Sequence, residues 1–273
     1  MNEHAIDKPV VLAVNSNDPT GGGGIAADIE TMASIGCHCA PVISAICARD
    51  TTGIKDRQAL DAATLVAQLR SALEDMPVRL VKIGDVGSVA NAEALHTVLT
   101  DYPQLAIVLD PVLSAEPDAD PTLTPQADGT AMVQATRMLL QPLATVTVLS
   151  HRQLWQMAAQ ADAIGACAQA LLQFGGDHLL ITGQGGSGGR HLNQLFTLRG
   201  LSRNYEWTQH PGDFHGAGST LSAALAAYLA HGFSLPEAVS QAQQFTWEAL
   251  ACAHRVGMGR KLPDRLHWSR RQR

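Results

Sequence analysis

The sequence predicts an α/β fold: a doubly wound, mostly parallel sheet with helices on both faces. Three observations carry that reading. Short apolar runs such as VVLAV, AIVLD, VTVL and LLIT recur along the chain, which is how strands buried on both faces of a parallel sheet read. Segments with helical spacing alternate with them, as βαβ units require. The length of 273 residues, with 46% apolar and 16% charged side chains, suits one large domain with a sizeable core.

The elements follow in chain order. Val10–Val14 is the first strand, and the glycine-rich stretch after it opens a helix over Ile25–Ile35 that stops at Gly36. A strand over Cys39–Ile46, a helix over Ala62–Leu73 and a strand over Arg79–Ile83 come next. Asn91–Leu99 reads as a helix, with Asn91 as N-cap and Glu93 in its first turn. The strand Ala106–Asp110, the helix Ala127–Leu140 and the strands Thr145–Leu149 and His178–Thr182 complete the alternating part. Leu192–Leu198 and Leu201–Trp207 form a hairpin around Gly200, and two long helices, Gly216–Ala230 and Leu235–His254, close the fold. With no repeat and no long linker, residues 1–273 are expected to form a single domain. Residues 1–9 are expected to be a flexible start, and 259–273 a basic tail that is solvated or at a dimer edge.

Composition removes several function classes. A net charge of -6 gives no basic field for nucleic acid. No apolar run approaches the about 20 residues that span a bilayer. The start MNEHAIDKPV does not read as a signal peptide. Five cysteines, an odd number with no regular framework, suit a reducing cytoplasm. Cys37-His38-Cys39 invites a metal, but strand neighbours face opposite ways and no second cluster completes a site. Buried thiols are the better reading.

Ligands of doubly wound sheets bind beyond the carboxyl ends of the strands. The loops to watch are therefore Asn15–Gly24, Ala48–Gly53, Gly84–Ser88, Pro111–Pro121 and Gly183–Gly189. Gly216-Ala217-Gly218 runs straight into a long helix; bare N–H groups and the helix dipole at such a start favour an anion, most often a phosphate. Gly21 to Gly24 allow close backbone approach to a ligand, but no Gly-Lys-Ser/Thr follows to make a P-loop. Gly183 to Gly188 match GxGxxG and also GxSxG around Ser187. Both patterns need a helix next, and a strand-like segment follows, so neither the dinucleotide nor the hydrolase reading stands.

The ordered set DPTGGGGIAADIET, VISAICARDTTG, KIGDVGS, VLDPVL, LLITG and HGAGSTLSAALAA resembles the hydroxymethylpyrimidine/phosphomethylpyrimidine kinases of the ribokinase superfamily. The likeness runs from Val10 to the PDRLHW segment. It implies a ribokinase-like three-layer sandwich without a separate lid domain, usually dimeric. It further implies ATP-dependent, Mg²⁺-dependent phosphorylation of a pyrimidine alcohol and then its monophosphate, as part of thiamine biosynthesis. Carried onto this chain, Gly22, Gly24 and Asp28 would help form the pyrimidine pocket, with Arg49 and Asp85 at further substrate positions. Asp110 would sit near the metal, and Thr182 and Gly183 near the nucleotide phosphates. Gly216, Ala217 and Gly218 would hold the transferring phosphoryl group, with Ser219 at the catalytic-base position.

The departures from that family fall on the chemistry. Members place Cys where this chain has Ser219, and an unassisted serine hydroxyl is too weak a base near neutral pH. Leu154 takes the place of a metal-side Glu, and His151 that of an Asn. Arg49 replaces a Gln or Glu that reads the pyrimidine edge, and Asp85 replaces an apolar residue packed on the ring. A guanidinium only donates, so Arg49 either pairs with Asp85 or binds an anionic substrate group. His215 and His151 flank the cleft, either touching phosphate or serving as hydrogen-bonded structural histidines. Two alternatives to a pyrimidine kinase therefore stand: a catalytically silent ligand- or partner-binding protein, or a kinase for another vitamin-like alcohol.

Overall fold

The computed structural model describes residues 8–113, 129–158, 162–185, 190–208 and 210–272. The expectations for residues 1–7, for the Pro111–Pro121 loop beyond Leu113 and for Ser187 lie outside the described residues.

Eight strands form the main sheet: β1 (Val10–Asn15), β2 (His38–Ile43), β5 (Val78–Ile83), β6 (Ala106–Leu109), β7 (Val146–Ser150), β8 (Leu179–Gly185), β9 (Arg190–Thr197) and β10 (Gly200–Thr208). Their order is β10-β9-β8-β7-β6-β5-β1-β2. Pairing is parallel from β2 through β8, and the predicted hairpin β9–β10 extends the sheet antiparallel. The helices are α1 (Gly24–Ser34), α2 (Ala62–Asp75), α3 (Val89–Thr100), α4 (Gly129–Ala135), α5 (His151–Met157), α6 (Ile164–Leu172), α7 (Ala217–Ala230) and α8 (Leu235–Ala251).

The strand pleat divides the core. Val11, Ala13, Leu80 and Val108 face one side, with α1, α7 and α8. Leu12, Val14, Val81 and Ile107 face the other, with α2, α3 and α4. Successive residues of a strand point to opposite faces, so the continuous apolar runs supply both layers at once. Ten of the fourteen residues of helix α7 are small, and nine of the fourteen are buried. Alanines let it lie close against the sheet, with its N-terminus at the strands' carboxyl ends.

The structure corrects several expected elements. The strand expected over Cys39–Ile46 breaks at Ser44, whose hydroxyl donates to the Asp85 carbonyl. Beyond it, β3 (Ala45–Arg49) pairs antiparallel with β4 (Ile54–Ala59) in a two-stranded sheet of its own. Strand β4, IKDRQA, is polar and has no buried residue, so no hydrophobic run marked it. The cap of α3 is Ser88, which accepts from the Asn91 N–H at 3.2 Å. Asn91 is instead buried and donates to the Val86 and Leu60 carbonyls at 2.9 and 3.1 Å. Of the helix expected over Ala127–Leu140, the described part is α-helical over Gly129–Ala135 and then widens into a π turn at Thr136–Leu140. Helices α5 and α6 had no counterpart in the sequence reading.

The basic tail is the largest correction. Leu262, Asp264, Arg265 and His267 are buried. Arg265 donates to the carbonyls of Gly21 and Gly22, to Glu30 and to Thr220 Oγ1. A guanidinium with that many fixed acceptors belongs inside, because its donors and charge are matched.

Candidate active site

The loop after β1 is shaped by Asp18. Its carboxylate accepts from Thr20 N–H at 2.9 Å, Thr20 Oγ1 at 2.7 Å and Gly23 N–H at 2.7 Å. His215 Nε2 lies 2.6 Å from Oδ2, the oxygen that also accepts from Gly23, and Arg49 Nε lies 3.6 Å from Oδ1, the oxygen that accepts from Thr20. Burial pushes the Asp18 carboxyl up, but His215, Thr20 and Arg49 outweigh it and hold the group well below the usual carboxylate range.

Glycines allow this loop to touch the start of α7. A side chain at Gly22 would place its Cβ 2.2 Å from the His215 ring, and one at Gly24, where φ is +59°, 2.4 Å from the Ser16 carbonyl oxygen. Gly216 caps α7 with φ +95°, and a Cβ there would lie 1.5 Å from the Gly22 carbonyl oxygen. Gly22 and Gly24 thus serve close approach, one to α7 and one within the loop.

The first ladder bond of α7 runs from Thr220 N–H to the Gly216 carbonyl at 2.9 Å. The amides of Ala217, Gly218 and Ser219 precede that ladder and are available to an anion. Ala217 and Gly218 line a cavity of about 280 Å³ together with Thr182, Gly183, Trp207 and Leu250. The structure therefore brings Ala217 and Gly218 of the expected anion turn to one cavity with Thr182 and Gly183, the expected nucleotide residues. Its remaining wall, which includes His191, His210 and Phe214, was not read from the sequence. Ser222, on the next turn of α7, donates to Asp110 Oδ2 at 2.6 Å and to the Ser219 carbonyl at 3.2 Å. Burial raises the Asp110 carboxyl above its ordinary value, against the opposing pull of Lys82 and Ser222.

A profile of the phosphomethylpyrimidine kinase family matches residues 18–264. The chain belongs to the phosphomethylpyrimidine kinase family. It is 33% identical over 269 residues to the hydroxymethylpyrimidine/phosphomethylpyrimidine kinase of Rhizobium meliloti, covering 94% of this chain and 97% of that protein. It is 32% identical over 266 residues to the enzyme of the same description from Mycobacterium tuberculosis, covering 92% and 91%. The Clostridium difficile phosphomethylpyrimidine kinase structure matches with a TM-score of 0.73 at 26% identity, over 89% of this chain and all of that one. Bacillus subtilis pyridoxal kinase shares the fold, with a TM-score of 0.82 at 23% identity over 97% and 100% of the two chains. The ribokinase-like sandwich expected from the sequence is thus the fold of this family.

Within this phosphomethylpyrimidine kinase fold, several expected site residues are differently placed. Asp28 is fully buried, with Lys82 Nζ at 2.7 Å and Asn15 Nδ2 at 2.8 Å on its carboxylate. Both of its oxygens are taken, so it supports the loop from beneath and does not open into a substrate pocket. Arg49 and Asp85 do not pair. The β3–β4 hairpin turns Arg57 onto Asp85, where the guanidinium bonds both carboxylate oxygens, and leaves Arg49 beside Asp18. Asp85 is buried by that pairing and by the Gly87 N–H at 3.0 Å. His151 is exposed and accepts from Trp155 Nε1 at 3.0 Å. His215 is the buried structural histidine of the two, tying the glycine loop to α7.

Ser219 has no base hydrogen-bonded to its hydroxyl among the described residues. Leu154 is fully buried among the side chains of α5, α6 and β7, so its position offers nothing to a metal. Gln153 instead reaches forward, donating to the Pro111 carbonyl at 2.6 Å while its oxygen caps α5 through Ser150. Leu154→Glu is accordingly expected to destabilise the fold by at least about 3 kcal/mol, since an unpaired carboxylate would be forced into an apolar core. Urea unfolding measures this; a stable variant with raised activity would show that the side chain can turn outward.

Asn15, Arg57, Lys82 and Arg265 were missed from the sequence. Lys82 alone carried a visible signal, a lone lysine within the apolar run LVKI. Such a residue is buried only when paired.

Proposed function

We propose that this chain transfers the terminal phosphoryl group of ATP to the hydroxymethyl oxygen of a hydroxymethylpyrimidine, or to a phosphate oxygen of its monophosphate. The observation that carries the reading is the shared cavity of Ala217, Gly218, Thr182 and Gly183. Free amides on one side suit phosphate oxygens, and the Trp207, Phe214 and Leu250 wall suits a flat, apolar base. Two further facts support it: relatives bearing that kinase description span nearly the whole chain, and the pyridoxal kinase of like fold was solved as an ADP complex.

In this reaction the alcohol oxygen, or a phosphate oxygen of the monophosphate, attacks the terminal phosphorus, the bond to the bridging oxygen breaks, ADP leaves, and the alcohol's proton passes to solvent. Catalysis of such a step is mostly positioning and charge stabilisation. The α7 amides meet charge on the transferring group. The Asp18–His215 contact and Arg265 fix the glycine loop against those amides. Magnesium bound with the phosphates would neutralise their charge and orient them. Among the described residues no three His, Cys, Asp or Glu side chains gather into a metal site. Magnesium is commonly held by one or two carboxylates plus phosphates and water, so Asp110 would be its protein ligand among the described residues. A cytoplasmic homodimer is part of the same reading; the five cysteines are free thiols, and no helix among the described residues is long and apolar enough to cross a membrane.

Coupled ADP release with each pyrimidine tests the proposal, and turnover above background with either one supports it. No release at high enzyme concentration, with pyridoxal and related alcohols also silent, defeats it. A second reading, a ligand-binding protein without turnover, is favoured by the unassisted Ser219 and the buried Leu154. Ser219→Cys separates the two. General-base assistance is worth roughly 10²- to 10⁴-fold, so the cysteine variant of a slow kinase should gain at least about tenfold in kcat with the KM for ATP unchanged. No gain would mean that the deficit lies elsewhere.

A further inference from the structure

Cationic side chains gather beside the phosphate cradle in a second cavity, of about 410 Å³. Arg255, Arg260 and Lys261 line it, and among the described residues Asp213 is the one acidic side chain in its lining. Arg260 Nε stands 3.6 Å from Asp213, whose side chain is largely exposed. Asp50, at the nearby hairpin turn, is engaged by Lys55 at 2.7 Å. Arg255 and Lys261 add positive charge beyond the Arg260–Asp213 pair among the described residues, and such an excess on a chain of net charge -6 marks a site for an anion.

The position of this cavity says which anion. It meets the first cavity at Gly212, which lines both. Lys261 bridges Phe214, and its carbonyl accepts from the His215 N–H at 2.9 Å, directly before the Gly216 cap. The opposite rim is the tip of the β3–β4 hairpin. Thr51 Oγ1 accepts from Gly259 N–H at 2.9 Å, and the Thr51 carbonyl accepts from Arg260 N–H at 3.2 Å. A Cβ at Gly259 would lie 1.8 Å from the Thr51 carbonyl oxygen. The backbone that carries the cations is therefore fixed between the hairpin and the strand-to-α7 connection.

We propose that Arg255, Arg260 and Lys261 form a phosphate subsite that continues the α7 cradle. Its ligand is a phosphate group of the reacting pair: the terminal phosphates of the nucleotide, or the phosphate of an already monophosphorylated alcohol. Guanidinium and ammonium groups suit both. The inference rests on the kinase reading for its biological ligand, but its physical content is tested without turnover.

The direct test is calorimetric titration of the full chain with inorganic tripolyphosphate. The Arg255→Gln/Arg260→Gln/Lys261→Gln variant should bind it at least about tenfold more weakly, with greater loss at low salt than at high. A control carrying Arg70→Gln, Arg199→Gln and Arg203→Gln, residues that line neither cavity, should bind as the parent does. Equal affinity of the parent and the first variant, at matched melting temperature, overturns the subsite. So does an equal loss in the control, which would reveal only the net charge. Steady-state kinetics then distinguish the source. A rise in the KM for ATP with either alcohol assigns the nucleotide, whereas a rise for the monophosphate alone assigns the substrate. Unchanged KM values throughout overturn the proposal, while absence of turnover in the parent defeats the kinase reading and leaves the calorimetry to judge the site.

Discussion

Lys82→Met should lower the unfolding free energy by about 3–5 kcal/mol, because it leaves the Asp28 carboxylate buried without its cation. Both side chains are wholly buried, 2.7 Å apart, at the junction of β5 and α1. Asn15 would remain as a partner at 2.8 Å, but a neutral amide offsets only part of an ionised group's desolvation. The double change Lys82→Met/Asp28→Asn should recover most of the loss, since breaking a buried pair costs far more than removing both charges. Urea denaturation of the parent, both single variants and the double variant measures this coupling. Additive losses would mean that the pair does not act as a unit. The outcome bears on function too, because Asn15 joins Asp28 to the backbone of Ser16 and Asp85 at the mouth of the cleft.

Gly216→Ala should cut turnover by about 10²-fold or more, the scale seen when one amide of an oxyanion-type cradle is lost. Two effects act together at this residue. Its φ of +95° is strained for any residue with a Cβ, and the new methyl would meet the Gly22 carbonyl oxygen at 1.5 Å. Backbone has to move, either at the α7 start or in the glycine loop, and each carries part of the site. Coupled ADP release beside a melting curve separates loss of chemistry from loss of fold. A well-folded variant with parental kcat and KM would show that the α7 start does not hold the transferring group.

The alternating strands and helices were legible because a parallel sheet buried on both faces leaves continuous apolar runs, and VVLAV and LLIT are such runs. The start of α7 was legible for a related reason: Gly216-Ala217-Gly218 is a local backbone device whose meaning depends on the helix directly after it. Strand β4 was not legible, since a polar two-stranded ribbon has no hydrophobic period. Asn91 was misread as a cap because capping and buried hydrogen bonding favour the same short polar side chains; Ser88, three residues earlier, takes the role.

By itself the sequence determined the layered α/β architecture, the family and the glycine turn that opens α7, all of which are written in contiguous residues. Only the tertiary structure decided the partners of the charged groups: Arg57 on Asp85, Lys82 on Asp28, and Arg265 folded back onto the glycine loop. Each of these contacts joins residues 28 to 244 positions apart. A charge's partner is set by burial and distance in space, and neither is encoded in its neighbours along the chain.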